Sequence, residues 1–309
     1  MRFTRLVEYL HSVPAAGLPH GLLDHARIAL LDNLGCGLFG AQREWGRIVT
    51  ALVRDEASQG RASVYGSSTG CAPARAALAN GTCTHGFELD DIILGALSHP
   101  GAVVVPAALA VAESAGASGT DLLRGIVAGY EVMARVGAAL GHDHNSRGFH
   151  TTGIAGPVAA AVAAGIVLRL PVETILSAVG TACSSASGIK AFTQGTGGMV
   201  KRMHAGRAAE SGVLACDLAA RGFAGPLQAV DGRFGLLEVI GGEHVYPERI
   251  DADLGTDFAV TRVWIKAYAC CGLIHSTMHA LEQLKAVHAI MPSSVRSVRV
   301  RTSKRAAEQ

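Results

Sequence analysis

The stretch from Thr151 to Leu168 constrains this chain most: eighteen residues with no charge before Arg169, composed mainly of Ala, Gly and Val. It is about as long as the roughly 18 to 20 residues that span a bilayer, so two readings compete. Gly153, Gly156, Pro157 and Gly165 interrupt it, Ala outnumbers Leu and Phe, and His150 stands immediately before it. These features favour a helix buried in protein and packed tightly through small residues. Aromatic residues make up only 5% of the chain, leaving little material for the belts that mark membrane interfaces. Hydrophobic residues at 49% against charged residues at 17% exclude disorder.

The same pattern repeats along the chain. Apolar residues recur at helical spacing over 6–10, 22–38, 45–53, 74–79, 103–113, 121–140, 154–168, 172–182 and 204–221. Thr120 before Asp121 reads as a helix cap, Pro171 with Glu173 as a helix start and Gly222 as a stop. Residues 1–250 therefore read as one all-helical domain whose Ala- and Gly-rich helices approach closely, which suits a helix-mediated homodimer. From Phe258 the period changes. Phe258–Ile265 and Ser297–Thr302 alternate like strands around a helical Gly272–Ile290, so residues 256–309 read as the start of a smaller α+β domain, incomplete at Gln309. The fold class expected is mainly α.

A net charge of +2, with its one basic cluster at Arg296–Arg305, gives no case for nucleic acid. Arg2, Arg5 and Glu8 in the first helical pattern argue against a signal segment, and seven cysteines, an odd number, fit reduced thiols; both point to the cytoplasm. Adjacent Cys270 and Cys271 lack zinc-finger spacing.

Four segments concentrate chemistry. His85-Gly-Phe-Glu88-Leu-Asp90-Asp91, followed by Ser98-His99-Pro100, gathers carboxylates and imidazoles between helices. Mutual repulsion there would shift pKa values toward acid/base work, while a solvated acidic helix end and a His/Asp metal site are the alternatives. His150 precedes a helix N-terminus that attracts anions, or simply begins that helix. Gly195-Thr-Gly-Gly198 superficially suggests a phosphate loop, but lacks the preceding strand and the Gly-Lys-Ser/Thr ending. After it, Lys201, Arg202 and His204 suit a carboxylate clamp, although His204 also reads as a satisfied buried histidine. Lys266, Tyr268, Cys271 and His275 join the two domains, where ligands commonly bind.

Taken in order, His85…Glu88-Leu-Asp90-Asp91…Ser98-His99-Pro100, Gly148-Phe-His150, Lys201-Arg-Met-His204-Ala-Gly206 and Lys266-Ala-Tyr268-Ala-Cys270-Cys271-Gly…His275, the chain resembles the MmgE/PrpD family over essentially its whole length. That family includes 2-methylcitrate dehydratase, cis-aconitate decarboxylase and iminodisuccinate epimerase. The resemblance implies a helical domain with an α+β lid, here truncated, a homodimer, a small polycarboxylate substrate, and catalysis without metal or organic cofactor. It places His99, His150, Lys201 and Lys266 in the lining of the family's active site and Glu88 to Asp91 in its acidic loop; with the four segments above, the residues expected in catalysis are His99, His150, Lys201, Lys266 and Asp91, and those expected in substrate binding are Glu88, Asp90, Arg202, His204, Tyr268, Cys271 and His275. Cys271 falls where the decarboxylase branch carries a histidine, Ile92 falls near a polar position there, and the spacing before His99 differs by one residue. These departures make a lyase of the dehydratase type the leading expectation, with an epimerase, a decarboxylase or a catalytically inactive acid-binding dimer behind it.

Overall fold

A computed structural model describes residues 1–13, 18–19, 21–195 and 198–307. Its helices are α1 (Arg2–Ser12), α2 (Leu22–Ala41), α3 (Glu44–Asp55), α4 (Pro73–His85), α5 (Gly101–Ala115), α6 (Gly119–Ala139), α7 (Asp143–Ser146), α8 (Thr151–Val167), α9 (Val172–Cys183), α10 (Met199–Ala220), α11 (Leu236–Gly241) and α12 (His275–Val287). The one sheet among the described residues is a two-residue antiparallel pair, Ala62–Ser63 with Gly70–Cys71. The chain is mainly α, as its periodicity implies.

The uncharged stretch of the sequence becomes α8, and every one of its residues is buried. A helix apolar all round has no face to offer water, so it belongs at the centre of a bundle. α6, α5 and α10 surround it, and α10 packs in turn on α4. Small residues set the spacing. A Cβ added to Gly206 on α10 would lie 2.3 Å from the Leu78 carbonyl of α4, and one on Gly81 would lie 2.8 Å from the Cα of Gly206. The two backbones touch there, as close packing at interior density requires. No helix among the described residues is long and apolar enough to cross a membrane.

Three local expectations change. The cap of α6 is Ser118, whose hydroxyl accepts from the Asp121 amide at 3.1 Å, rather than Thr120. α4 runs on to His85, and α10 begins at Met199, so Lys201, Arg202 and His204 lie on a helix rather than beside a loop. Thr196 and Gly197 of the superficial phosphate loop lie outside the described residues.

Neither of the two expected strands forms among the described residues. Phe258–Ile265 tucks Phe258, Ala259 and Val260 into the helical core, with a 3-10 turn over Ala259–Thr261, and the Ala259 amide donates to the Glu131 carboxylate. Its sole ladder contact among the described residues is the bridge between Trp264 and Ile92. Ser297–Thr302 is exposed and pairs with nothing described. Alternation alone does not make a strand, because its amides and carbonyls need a neighbouring ladder. The helix between them forms as α12, entered through a 3-10 turn at Gly272–Ile274.

Candidate active site

Four histidines from three separate regions converge where α4, α8 and α10 meet. His85 is the last residue of α4, His99 precedes α5, His150 is the N-cap of α8, and His204 lies in the second turn of α10. Ring centroids are 4.9 Å apart for His85 and His99, 5.8 Å for His85 and His150, and 5.2 Å for His150 and His204. All four are buried, and Phe192 packs edge-on against His150 and His204.

The loop joining α4 to α5 carries the carboxylates. An Ile93–Ser98 bridge closes it, the Ile92–Trp264 bridge tethers it, and Glu88 and Leu97 both adopt left-handed backbone at φ 60° and 51°. For residues with a Cβ this conformation costs about 1 to 2 kcal/mol, which the surrounding contacts must offset.

Asp90 and Asp91 have different work. One oxygen of Asp90 accepts from His85 Nδ1 at 2.7 Å and lies 3.2 Å from His99 Nδ1; the other has no hydrogen-bond partner among the described residues. Burial alone would raise the Asp90 carboxyl, but the two imidazoles hold it well below the usual carboxylate range. Asp91 points elsewhere. Its Oδ1 accepts from the Gly101 amide at the start of α5 (2.8 Å) and its Oδ2 from the Tyr130 hydroxyl (2.6 Å). Burial, with the nearby charges of Asp32 and Asp90, pushes it up to about 7 despite those donors. The carboxylate that meets the histidines is therefore Asp90, while Asp91 braces the loop against α5 and α6.

This arrangement fixes a tautomer. His99 Nδ1 faces the Asp91 carbonyl at 2.9 Å as well as the Asp90 carboxylate, and neither can donate. Burial lowers the pKa of His99 and outweighs Asp90, so the ring is neutral, with its proton on Nδ1 and its lone pair on Nε2. A neutral imidazole held by an anion at its far nitrogen is the arrangement of a general base. Burial, with the adjoining imidazoles and Lys201, also lowers His150, and burial with His85 and Lys201 brings His204 down to about 4. Their Nδ1 atoms lie 3.0 Å apart, so one donates to the other.

Two lysines bring positive charge to the same loop. Lys201 Nζ lies 2.5 and 2.6 Å from the two oxygens of Glu88, and Lys266 Nζ donates to the Glu88 carbonyl at 2.8 Å. Arg202 is turned away: it donates to the Gly86 carbonyl at 3.1 Å and stacks over Trp45. Tyr268 bonds Glu282 and packs against His275, and Cys271 is exposed; none of these three hydrogen-bonds the histidines. Of the residues singled out by sequence, the structure brings together His99, His150, His204, Asp90, Glu88, Lys201 and Lys266.

Sequence reasoning passed over Asp32, Tyr130 and, as a site residue, His85. Asp32 on α2 accepts from the Asp91 amide, and burial together with Asp90 raises it to about 6. An acid inside the otherwise apolar Leu22–Leu38 run was its one visible signal. A cleft of about 740 Å³ between α9 and α11, lined by residues including Cys183, Arg233 and Phe234, contains none of these groups.

His85, Asp90 and His99 also offer ligand atoms within 4.8 Å of one another, a spacing a metal ion accepts. His85 Nδ1 and His99 Nδ1 both reach Asp90 Oδ2, while His85 Nε2 and Asp90 Oδ1 are buried without a hydrogen-bond partner among the described residues.

The MmgE/PrpD N-terminal domain model matches residues 4–248, which contain all of this cluster except Lys266. The chain belongs to the MmgE/PrpD family. Family relatives include a cis-aconitate decarboxylase-like protein of Aspergillus oryzae, 34% identical over 91% of this chain and 61% of that protein. The cis-aconitate decarboxylase of Aspergillus terreus is 31% identical over 91% of this chain and 60% of its own length. The human cis-aconitate decarboxylase is 30% identical over 72% of this chain and 47% of its own. The chain thus spans about three fifths of the length of the two fungal relatives.

Proposed function

We propose that this chain carries the proton-transfer site of a lyase acting on a small polycarboxylic acid, without an organic cofactor, as part of a homodimer in the cytoplasm. The observation that supports it best is the pairing of a neutral, tautomer-locked His99 with Lys201 and Lys266, which both bond Glu88 of the same loop. His99 Nε2 takes a proton from carbon next to a substrate carboxylate or returns one to it. The lysines neutralise the carboxylates and so lower the cost of the enediolate-like carbanion.

The named relatives make cis-aconitate the first substrate to test, with loss of carbon dioxide leaving a carbanion that the site protonates. This reverses the order expected from sequence. Dehydration of a 2-methylcitrate-like acid stays as the second reading, favoured by an exposed Cys271 where the decarboxylase branch carries a histidine. Incubation with cis-aconitate, 2-methylcitrate and iminodisuccinate in deuterated water, followed by NMR, separates decarboxylation, dehydration and epimerisation. His99→Gln should lower the rate of whichever reaction proceeds by about 100-fold or more. Solvent exchange at carbon without net bond cleavage would overturn the lyase reading.

A further inference from the structure

Glu88 occupies both lysines of the site at once. Its carboxylate takes Lys201 through both oxygens, and its backbone carbonyl takes Lys266, which is only 6% exposed. It does so from a left-handed backbone conformation that a glutamate rarely adopts. The preceding residue pair is anchored separately, by Arg202 on the Gly86 carbonyl, so residue 88 can move while its segment stays attached. The carboxylate is also about a quarter exposed, which gives it a route to solvent.

We propose that Glu88 is an internal stand-in for a substrate carboxylate, which a bound polycarboxylate displaces from Lys201 and Lys266. The inference rests on the polycarboxylate reading above and deepens it. Exchanging one carboxylate for another on Lys201 keeps that charge paired, while Lys266, held in the free site by the neutral Glu88 carbonyl, gains an anion. It also makes Glu88 a selectivity device. A monocarboxylate merely replaces what Glu88 already supplies, whereas a di- or tricarboxylate satisfies Lys201 and Lys266 together and gains by their joint capture. Burial would raise the Glu88 carboxyl, but Lys201 and His85 together outweigh that and lower it, so it competes as a carboxylate across the neutral pH range.

Calorimetric titration of the chain with tricarballylate, an unreactive tricarboxylate, and with acetate tests this on wild type, Glu88→Gln and Lys201→Gln. Glu88→Gln keeps shape and hydrogen bonding but removes the competing charge. Expected is tricarballylate binding about five- to tenfold tighter in Glu88→Gln, with a smaller preference over acetate, and weaker binding in Lys201→Gln. If Glu88→Gln binds tricarballylate no more tightly than wild type while Lys201→Gln weakens it, the stand-in role falls and the polycarboxylate site survives. Binding that Lys201→Gln leaves unchanged, or no binding to wild type and Glu88→Gln alike, overturns both. Matching thermal midpoints for the three proteins establish that the comparison is between folded chains.

Discussion

α8 and α12 are both helices of ordinary length, yet all the residues of α8 are buried and none of those of α12 is. α8 needs its neighbours, because an Ala- and Val-rich cylinder is stabilised by removal from water far more than by its own propensity. α12 stands on local propensity, with Met278, Leu284 and Val287 exposed. The lesson is that the candidate catalytic groups sit where the chain is most constrained: His150 caps the fully buried helix, and His85 and His204 project from helices whose backbones touch.

That contrast is open to direct attack. The largest effect should come from Gly206→Val, which forces a branched side chain against the Leu78 carbonyl 2.3 Å from the position of its Cβ. A loss of about 3 kcal/mol in urea denaturation, or failure to fold, is expected. A loss under about 1 kcal/mol would mean that α4 and α10 can separate cheaply.

Next is Tyr130→Phe, which removes the hydroxyl donating to Asp91 and leaves a buried carboxyl with one donor fewer. It should cost about 1 to 3 kcal/mol. An unchanged midpoint would show that Asp91 does not brace the loop.

The pH dependence sharpens the comparison further, since two sets of groups in the helical body pull in opposite directions. His204 and His144 have folded pKa values near 4, below their unfolded value. The unfolded chain binds more protons, so their contribution is lost as pH falls from about 6.5 towards 4. Asp91 and Asp32 are raised to about 7 and about 6, so the folded chain binds more protons and stability rises as pH falls from about 7 towards 4. Removing the second set with the double variant Asp32→Asn/Asp91→Asn should make the denaturation midpoint fall more steeply between pH 7 and 5 than in wild type. Parallel profiles would contradict the raised carboxyls.

The smallest effect belongs to α12. Leu284→Ala should change stability by less than about 0.5 kcal/mol, since its side chain is half exposed. A loss of more than about 1 kcal/mol would show that this helix is covered by another surface in solution.

The helices were legible because their period is local: the 3.6-residue pattern of α6 and α9 can be counted on the chain itself. The ends of helices were less so. The start of α10 at Met199 was hidden behind a glycine run, and Ser118 rather than Thr120 caps α6. The strands failed for a physical reason. Phe258–Ile265 has the right alternation, but its fate depends on a ladder partner or a core to enter, and the core won. For the site, clusters in sequence pointed to Asp90, His99 and Lys201. What sequence did not disclose was which neighbour each one meets. Asp90 and Asp91 are adjacent, and only folding distinguishes the one that faces two imidazoles from the one claimed by Tyr130 and Gly101. Asp32 was invisible for the same reason, being about sixty residues from the loop it supports.

The contact between Gly81 and Gly206 has a consequence for time as well as for space. Helices in backbone contact cannot slide or separate by small steps, so amide protons on α4 and α10 should exchange with deuterium only through opening of the whole domain. The connecting loop from Gly86 to Pro100 is held by individual polar contacts, and its amides should exchange through much cheaper local openings. Substrate entry would then be governed by the rate at which one short segment opens, while the frame that carries the histidines remains closed throughout.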